Sequence, residues 1–174
     1  MDYMLRAPSL EKILDLNERF DKAVMFAAKA AECEASVETL NGYMPLVNDG
    51  DLGKVIGNVA ETLFPDITYG YNTSFVAGCT DMGDVAAVIP AVHATNPGTS
   101  GTGHGINYAI ADKHQAYVDG SVLSAAVAVK LLYGNAELAK NIAENKKNLM
   151  TIPEYIKTID TLNKTLDSET FIKF

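Results

Sequence analysis

The chain carries three histidines, His93, His104 and His114. Neutral imidazole is the commonest transition-metal ligand and a usual proton acceptor near neutral pH. His104 stands in Gly101-Thr-Gly-His-Gly105, and glycines on both sides let backbone approach a ligand and leave the ring unshielded. It is the candidate ligand or catalytic group. His93 follows an apolar run and reads as a satisfied core or edge histidine. His114, between Lys113 and Gln115, reads as a surface residue. A second cluster is Gly78-Cys-Thr-Asp-Met-Gly-Asp84, with two carboxylates three residues apart. Such groups can bind a cation or a substrate, and they can equally bond to nearby backbone as Asx turns. No P-loop, dinucleotide fingerprint or GxSxG elbow occurs. Cys33 and Cys79 form no CxxC and read as free thiols of a reducing compartment.

These residues need elements to hold them. Tyr3–Arg6 has strand character. Ser9 is placed to cap a helix whose apolar positions run Leu10, Ile13, Leu14, Phe20, Val24, Ala27, Ala28 and Ala31. Ser36–Leu40 again favours a strand, and Asn41-Gly42 a turn. Asp49 or Asp51 can cap a second helix along Leu52, Val55, Ile56, Val59 and Leu63, which Phe64-Pro65 ends. Val85–Ile89 and Ala91–His93 read as buried strands with Pro90 between them. Residues 94–105 hold four glycines and Pro97 and read as a loop. Asp119 can cap Gly120–Leu132, a helix apolar nearly all round and so expected to be buried on most sides. A more amphipathic helix restarts at Gly134-Asn135. Thr151 and Glu154 have capping-box spacing before a last helix along Ile156, Ile159 and Leu162. The reading is α/β, with a small N-terminal strand–helix–strand piece ahead of a larger mixed unit.

At 174 residues the chain is long enough for one domain with a real core. Its composition, 48% hydrophobic and 21% charged, excludes a disordered chain. The net charge of −8 falls wholly on residues 1–135, where eight bases face sixteen acids. No Lys or Arg lies between Lys54 and Lys113. That pattern argues against a nucleic-acid partner and against an anionic membrane surface, and it suits a cation. The N-terminus has neither the basic nor the apolar region of a signal peptide, and no apolar run approaches the ~20 residues of a membrane span. The expectation is a soluble, cytoplasmic protein.

The order Gly78-Cys-Thr-Asp-Met-Gly-Asp-Val85, Ile89-Pro90, His93 and Gly101-Thr-Gly-His-Gly105 resembles the C-terminal part of the zinc metallo-amidohydrolases. That family includes aminobenzoyl-glutamate hydrolase, the aminoacyl-auxin hydrolases and the carboxypeptidase G type peptidases. Met4–Lys12 resembles the part of the family's inserted lid where a strand enters its second helix. The resemblance covers nearly the whole chain. It implies that residues 1–42 are the strand–helix–strand tail of a ferredoxin-like lid, a domain that often mediates dimerisation. Residues 43–174 would be the C-terminal half of a zinc-peptidase-like three-layer catalytic domain. In the family this half gives one histidine to a two-zinc centre, and His104 matches it. Thr80, Asp81 and the Pro97–Gly103 loop match the wall of the substrate pocket, and His93 a position near it. The implied reaction is hydrolysis of an amide of an N-acyl amino acid or small peptide. Two metals about 3.5–4 Å apart hold a water, and a carboxylate serves as base.

The family's other metal ligands and its base belong to a preceding half that these residues do not contain. Three readings follow. The chain is a fragment of a metallo-amidohydrolase that acts only with that half. Or it is a non-catalytic binding or assembly module that keeps the fold. Or His93, His104 and nearby aspartates make a metal site of their own. The first is preferred, because a non-catalytic module has no need of an unshielded histidine between glycines. Uncovered sheet edges and apolar helix faces then imply a homo-oligomer or pairing with the missing half.

Overall fold

The computed structural model describes residues 1–66, 69–70, 78–145 and 149–171. Those residues are mixed α/β, with helix outweighing strand and two small antiparallel sheets among them. The chain divides into two compact units. The first gathers residues 1–47, 74–89 and 148–174; the second gathers 48–73 and 90–147.

The first unit is built on α1 (Leu10–Ala30). Ser9 is extended and its hydroxyl accepts from the Lys12 N–H, so the helix starts where the sequence places its cap. Residues 1–7 form no regular element, and the strand expected at 3–6 is absent. Four residues there find no backbone ladder to join, and strand propensity without a partner strand forms no strand. After α1 comes β1 (Ser36–Thr39). It pairs antiparallel with β4 (Lys164–Asp167), in register Ser36 with Asp167 through Thr39 with Lys164. The ends of this ribbon are fastened by side chains. Ala35 N–H donates to Ser168 Oγ at 3.1 Å, Ser168 N–H to the Ala35 carbonyl at 2.9 Å, and Asn41 N–H to Asn163 Oδ1 at 2.7 Å. α7 (Ser168–Phe171) follows β4 and sets Phe171 edge-on to Phe26 of α1 at 6.0 Å between ring centres.

The same unit holds α3 (Met82–Val88), where buried strand was expected. Backbone turns decide the outcome. Gly83 N–H donates to the Thr80 carbonyl and Asp84 N–H to that of Asp81, each at 3.0 Å, and these bonds wind the chain into a helix that the β-branched Val85 and Val88 tolerate. Ile89 turns extended ahead of Pro90, as a residue before proline must. α6 (Ile152–Leu162) begins with the expected capping box. Thr151 Oγ1 accepts from Glu154 N–H while Glu154 accepts from Thr151 N–H at 2.7 Å. Among the described residues of this unit, Met25, Met44 and Ala86 are the buried hydrophobic ones.

The second unit contains α2 (Gly50–Leu63), capped by Asp49 through Leu52 N–H at 2.7 Å. It also holds a hairpin of β2 (Thr99–Ser100) and β3 (Ala109–Ile110). A π-helical turn, His114–Asp119, leads into α4 (Gly120–Leu132), and α5 (Glu137–Glu144) follows. Asp119 caps nothing with its side chain. Asp112 does that work, accepting from His114 and Gln115 N–H at 2.9 and 3.0 Å. No residue of α4 is buried, against expectation: α2 and α5 pack on it and leave Val129 and Leu132 about two-thirds exposed. Among the described residues no single helix is long and apolar enough to cross a membrane. The π-turn with α4 and then α5 have the composition only as a pair bent by 86°.

Candidate functional site

The β2–β3 hairpin carries His104 at its tip. Its base is held by Gly98, whose carbonyl accepts from Ala111 and Asp112 N–H at 2.9 and 3.0 Å. Within the loop, Gly105 N–H donates to Thr102 at 2.7 Å, Tyr108 N–H to Gly105 at 3.0 Å, and Asn107 Oδ1 accepts from Thr102 N–H at 3.3 Å. Gly101 has φ +89°, and a Cβ there would lie 2.7 Å from the Asn107 carbonyl carbon, so the position demands glycine. Gly103 is exposed with open space where a Cβ would stand.

His104 itself has φ 63°, a left-handed conformation uncommon outside glycine and a form of strain that clusters at functional positions. The residue is exposed, and its ring has no hydrogen-bond partner among the described residues. The loop therefore fixes the backbone tightly and leaves both imidazole nitrogens to solvent.

His93 is also exposed. Its backbone N–H donates to Asn48 Oδ1 at 2.8 Å, so the backbone is held while the side chain is not in the core that the sequence suggested. His114 is exposed as expected, with Nδ1 3.1 Å from Asp119 Oδ1. The π-turn brings this pair together, since residues five apart align when the helix widens by one residue per turn. Asn96 supports the turn by donating from Nδ2 to the Gln115 carbonyl at 2.7 Å. Burial, and then the charge of Asp119, raise Tyr69 above the ordinary tyrosine range.

Thr80 and Asp81 belong to the first unit. Thr80 is half-buried and its Oγ1 accepts from Met82 N–H at 3.0 Å. Asp81 is exposed and its side chain makes no capping bond. Asp84, the other acid of the cluster, is a clasp: Oδ1 accepts from Met44 N–H at 3.0 Å, forty residues away in sequence. It also accepts from Tyr155 of α6. Burial and then that bond and charge raise the Tyr155 phenol. Within this cluster Thr80 makes the local backbone bond, whereas the backbone partner of Asp84 is distant and was not among the roles the sequence offered. Gly83 sits beneath the Met44 carbonyl, where only a residue without Cβ fits.

The residues singled out in the sequence thus divide between the units: Thr80 and Asp81 in the first, His93, Gly103 and His104 in the second. Among the described residues no three of His, Cys, Asp and Glu converge in a way that could hold a metal. The residues that sequence reasoning passed over are Asn96 and Asp21. Asn96 sits at a turn position, which Asn favours; nothing in the pattern around Asp21 marks it. The chain matches no family model, no curated protein and no solved structure.

Proposed function

We propose that the chain is the C-terminal portion of a metal-dependent amidohydrolase acting on N-acyl amino acids or small peptides in the cytoplasm. In this reading residues 1–42 are the end of a lid and 43–174 the second half of a zinc-peptidase-like catalytic domain. His104 supplies one imidazole to a zinc centre completed by donors outside the described residues. His93 and Gly103, of the same unit as His104, stand along the substrate. The observation that carries the reading is His104. It is held at a left-handed φ of 63° by a hydrogen-bonded loop, exposed, and with its ring unpartnered among the described residues. A buried structural histidine would spend at least one nitrogen on a neighbour. The residue order from Gly78 to Gly105 adds the chemistry of the proposed reaction.

The assay is release of free amino acid from a panel of N-acyl amino acids. It compares the 174-residue chain alone with the assembly isolated from the cells that encode it through a C-terminal tag. The chain alone is expected to be inactive. The native assembly is expected to hydrolyse at least one substrate, and to lose this with His104→Ala or a chelator. A native assembly without activity, or activity indifferent to His104→Ala, overturns the proposal.

A further inference from the structure

β1 has one paired edge and one open edge. Ser168 N–H donates to the Ala35 carbonyl, and the register with β4 runs on from that pair. Bonded and non-bonded pairs alternate in an antiparallel ladder, so Val37 and Thr39 spend their main-chain groups on β4. Those of Ser36 and Glu38 point the other way, and no backbone partner meets them among the described residues. A groove of about 610 Å³ runs along this open edge. Residues of both strand faces, Ser36 and Glu38 as well as Val37 and Thr39, line it, and no residue of β4 does. Its other walls are α1 and the first eight residues.

Those walls are shaped for extended chain. Tyr3, Met4 and Leu5 make no backbone hydrogen bond among the described residues. Leu5 and Ala7 are half-buried while Met4 and Arg6 are exposed, the period of a strand lying on a helix. The Tyr3 ring stands 5.1 Å from that of Phe20 on α1. On α1 the lining residues Ile13, Leu14, Phe20 and Val24 form an apolar stripe that is not buried, with Leu14 48% exposed. We propose that the groove is the docking site of a β-strand from a partner polypeptide, apolar at every second residue and basic on its outward face. A helix satisfies its own backbone and leaves the β1 edge unmet. An extended chain offers N–H and C=O groups at the repeat of Ser36 and Glu38, and lays alternate side chains on α1. The outward side chains pass Glu38, which is exposed, on a chain of net charge −8, so a base is favoured there. A second copy of β1 would instead bring two Glu38 carboxylates together on one face, and like charges across strands destabilise.

The test uses the isotope-labelled 174-residue chain and follows amide hydrogen exchange by NMR. The probe is a capped peptide of three Val-Lys repeats. Two controls are the same residues in two blocks, and the repeat peptide N-methylated at its valines. Without peptide, the Ser36 and Glu38 amides are expected to exchange fast and those of Val37 and Thr39 slowly. Saturating repeat peptide should slow Ser36 and Glu38 by about ten-fold or more. Neither control should do so. Glu38→Pro removes an N–H from the open edge and none from the β4 ladder, a position where proline is tolerated. It should keep Val37 and Thr39 protected and abolish the effect on Ser36. The peptide series on the unaltered chain stands even if this variant fails to fold. No slowing by the repeat peptide, or equal slowing by either control, overturns the proposal. Protection of Ser36 and Glu38 that grows with the concentration of the chain alone assigns the groove to a second copy and also overturns it.

Discussion

Replacing Gly83 by alanine drives a methyl group into the backbone of Met44. The new Cβ would fall on the Met44 carbonyl oxygen, 2.9 Å from its carbonyl carbon and 3.4 Å from Leu46 N. These are backbone atoms and cannot rotate away, so α3 and the 44–46 segment must separate. The separation strains the Met44 N–H bond to Asp84 Oδ1, now 3.0 Å. Overpacking costs about 1–3 kcal/mol, and a bond to a charged acceptor about 1.5–3 kcal/mol. Alanine's better helix propensity returns about 1 kcal/mol. The net expectation is a loss of about 1.5–5 kcal/mol. Gly57 in α2 provides the matched control, since a Cβ there meets nothing within 4 Å. Gly57→Ala should therefore stabilise by about 0.5–1 kcal/mol. Urea unfolding followed by circular dichroism reads both. The reasoning is refuted if the two substitutions shift stability in the same direction, or if Gly83→Ala costs less than about 1 kcal/mol.

The remaining expectations concern the cap, the π-turn and the hairpin. The Thr151 backbone N–H, and then its hydroxyl, hold the Glu154 carboxyl below its ordinary value of 4.5. The stability this gives is present above that value and is lost as pH falls through the lowered one. Thr151→Ala should raise the Glu154 midpoint in an NMR titration and flatten the acid-side loss of helix; an unmoved midpoint would dismiss the capping box. Asn96→Ala leaves the Gln115 carbonyl without its 2.7 Å donor and should cost about 0.5–1.5 kcal/mol in thermal unfolding, and an unchanged melting point would mean that Asn96 does not support the π-turn. Gly101→Ala combines a φ of +89° with a clash on Asn107, and should cost about 2–4 kcal/mol and broaden the amide signals of 99–110; a native hairpin spectrum would contradict the loop geometry.

Elements announced by local chemistry were legible in the sequence. Ser9, Asp49 and the Thr151–Glu154 pair each bond to backbone within three residues, so cap and spacing alone locate the starts of α1, α2 and α6. Elements decided by distant partners were not. β4 exists because Lys164–Asp167 finds β1 more than 120 residues earlier, and nothing in Lys-Thr-Leu-Asp announces that pairing. Val85–Ile89 has strand composition, yet the bonds from Gly83 and Asp84 to the turn before it impose a helix. At the candidate site, the exposure of His104 was readable from its flanking glycines, whereas its left-handed φ was not. Asp84 looked like one of two equivalent acids until the fold joined it to Met44 and Tyr155. Asp21 lies among ordinary helix positions, and only the fold, which buries it beside Lys164 of β4, distinguishes it.

The central claim is that His104 is a metal ligand whose companions lie outside the described residues. The most direct measurement is zinc per chain, by elemental analysis, in the assembly isolated from the cells that encode it, with and without His104→Ala. The account predicts at least one zinc per chain in the native assembly and its loss in the variant. The 174-residue chain alone is predicted to hold less than stoichiometric zinc. Zinc absent from the native assembly, or present equally with and without His104, would contradict it.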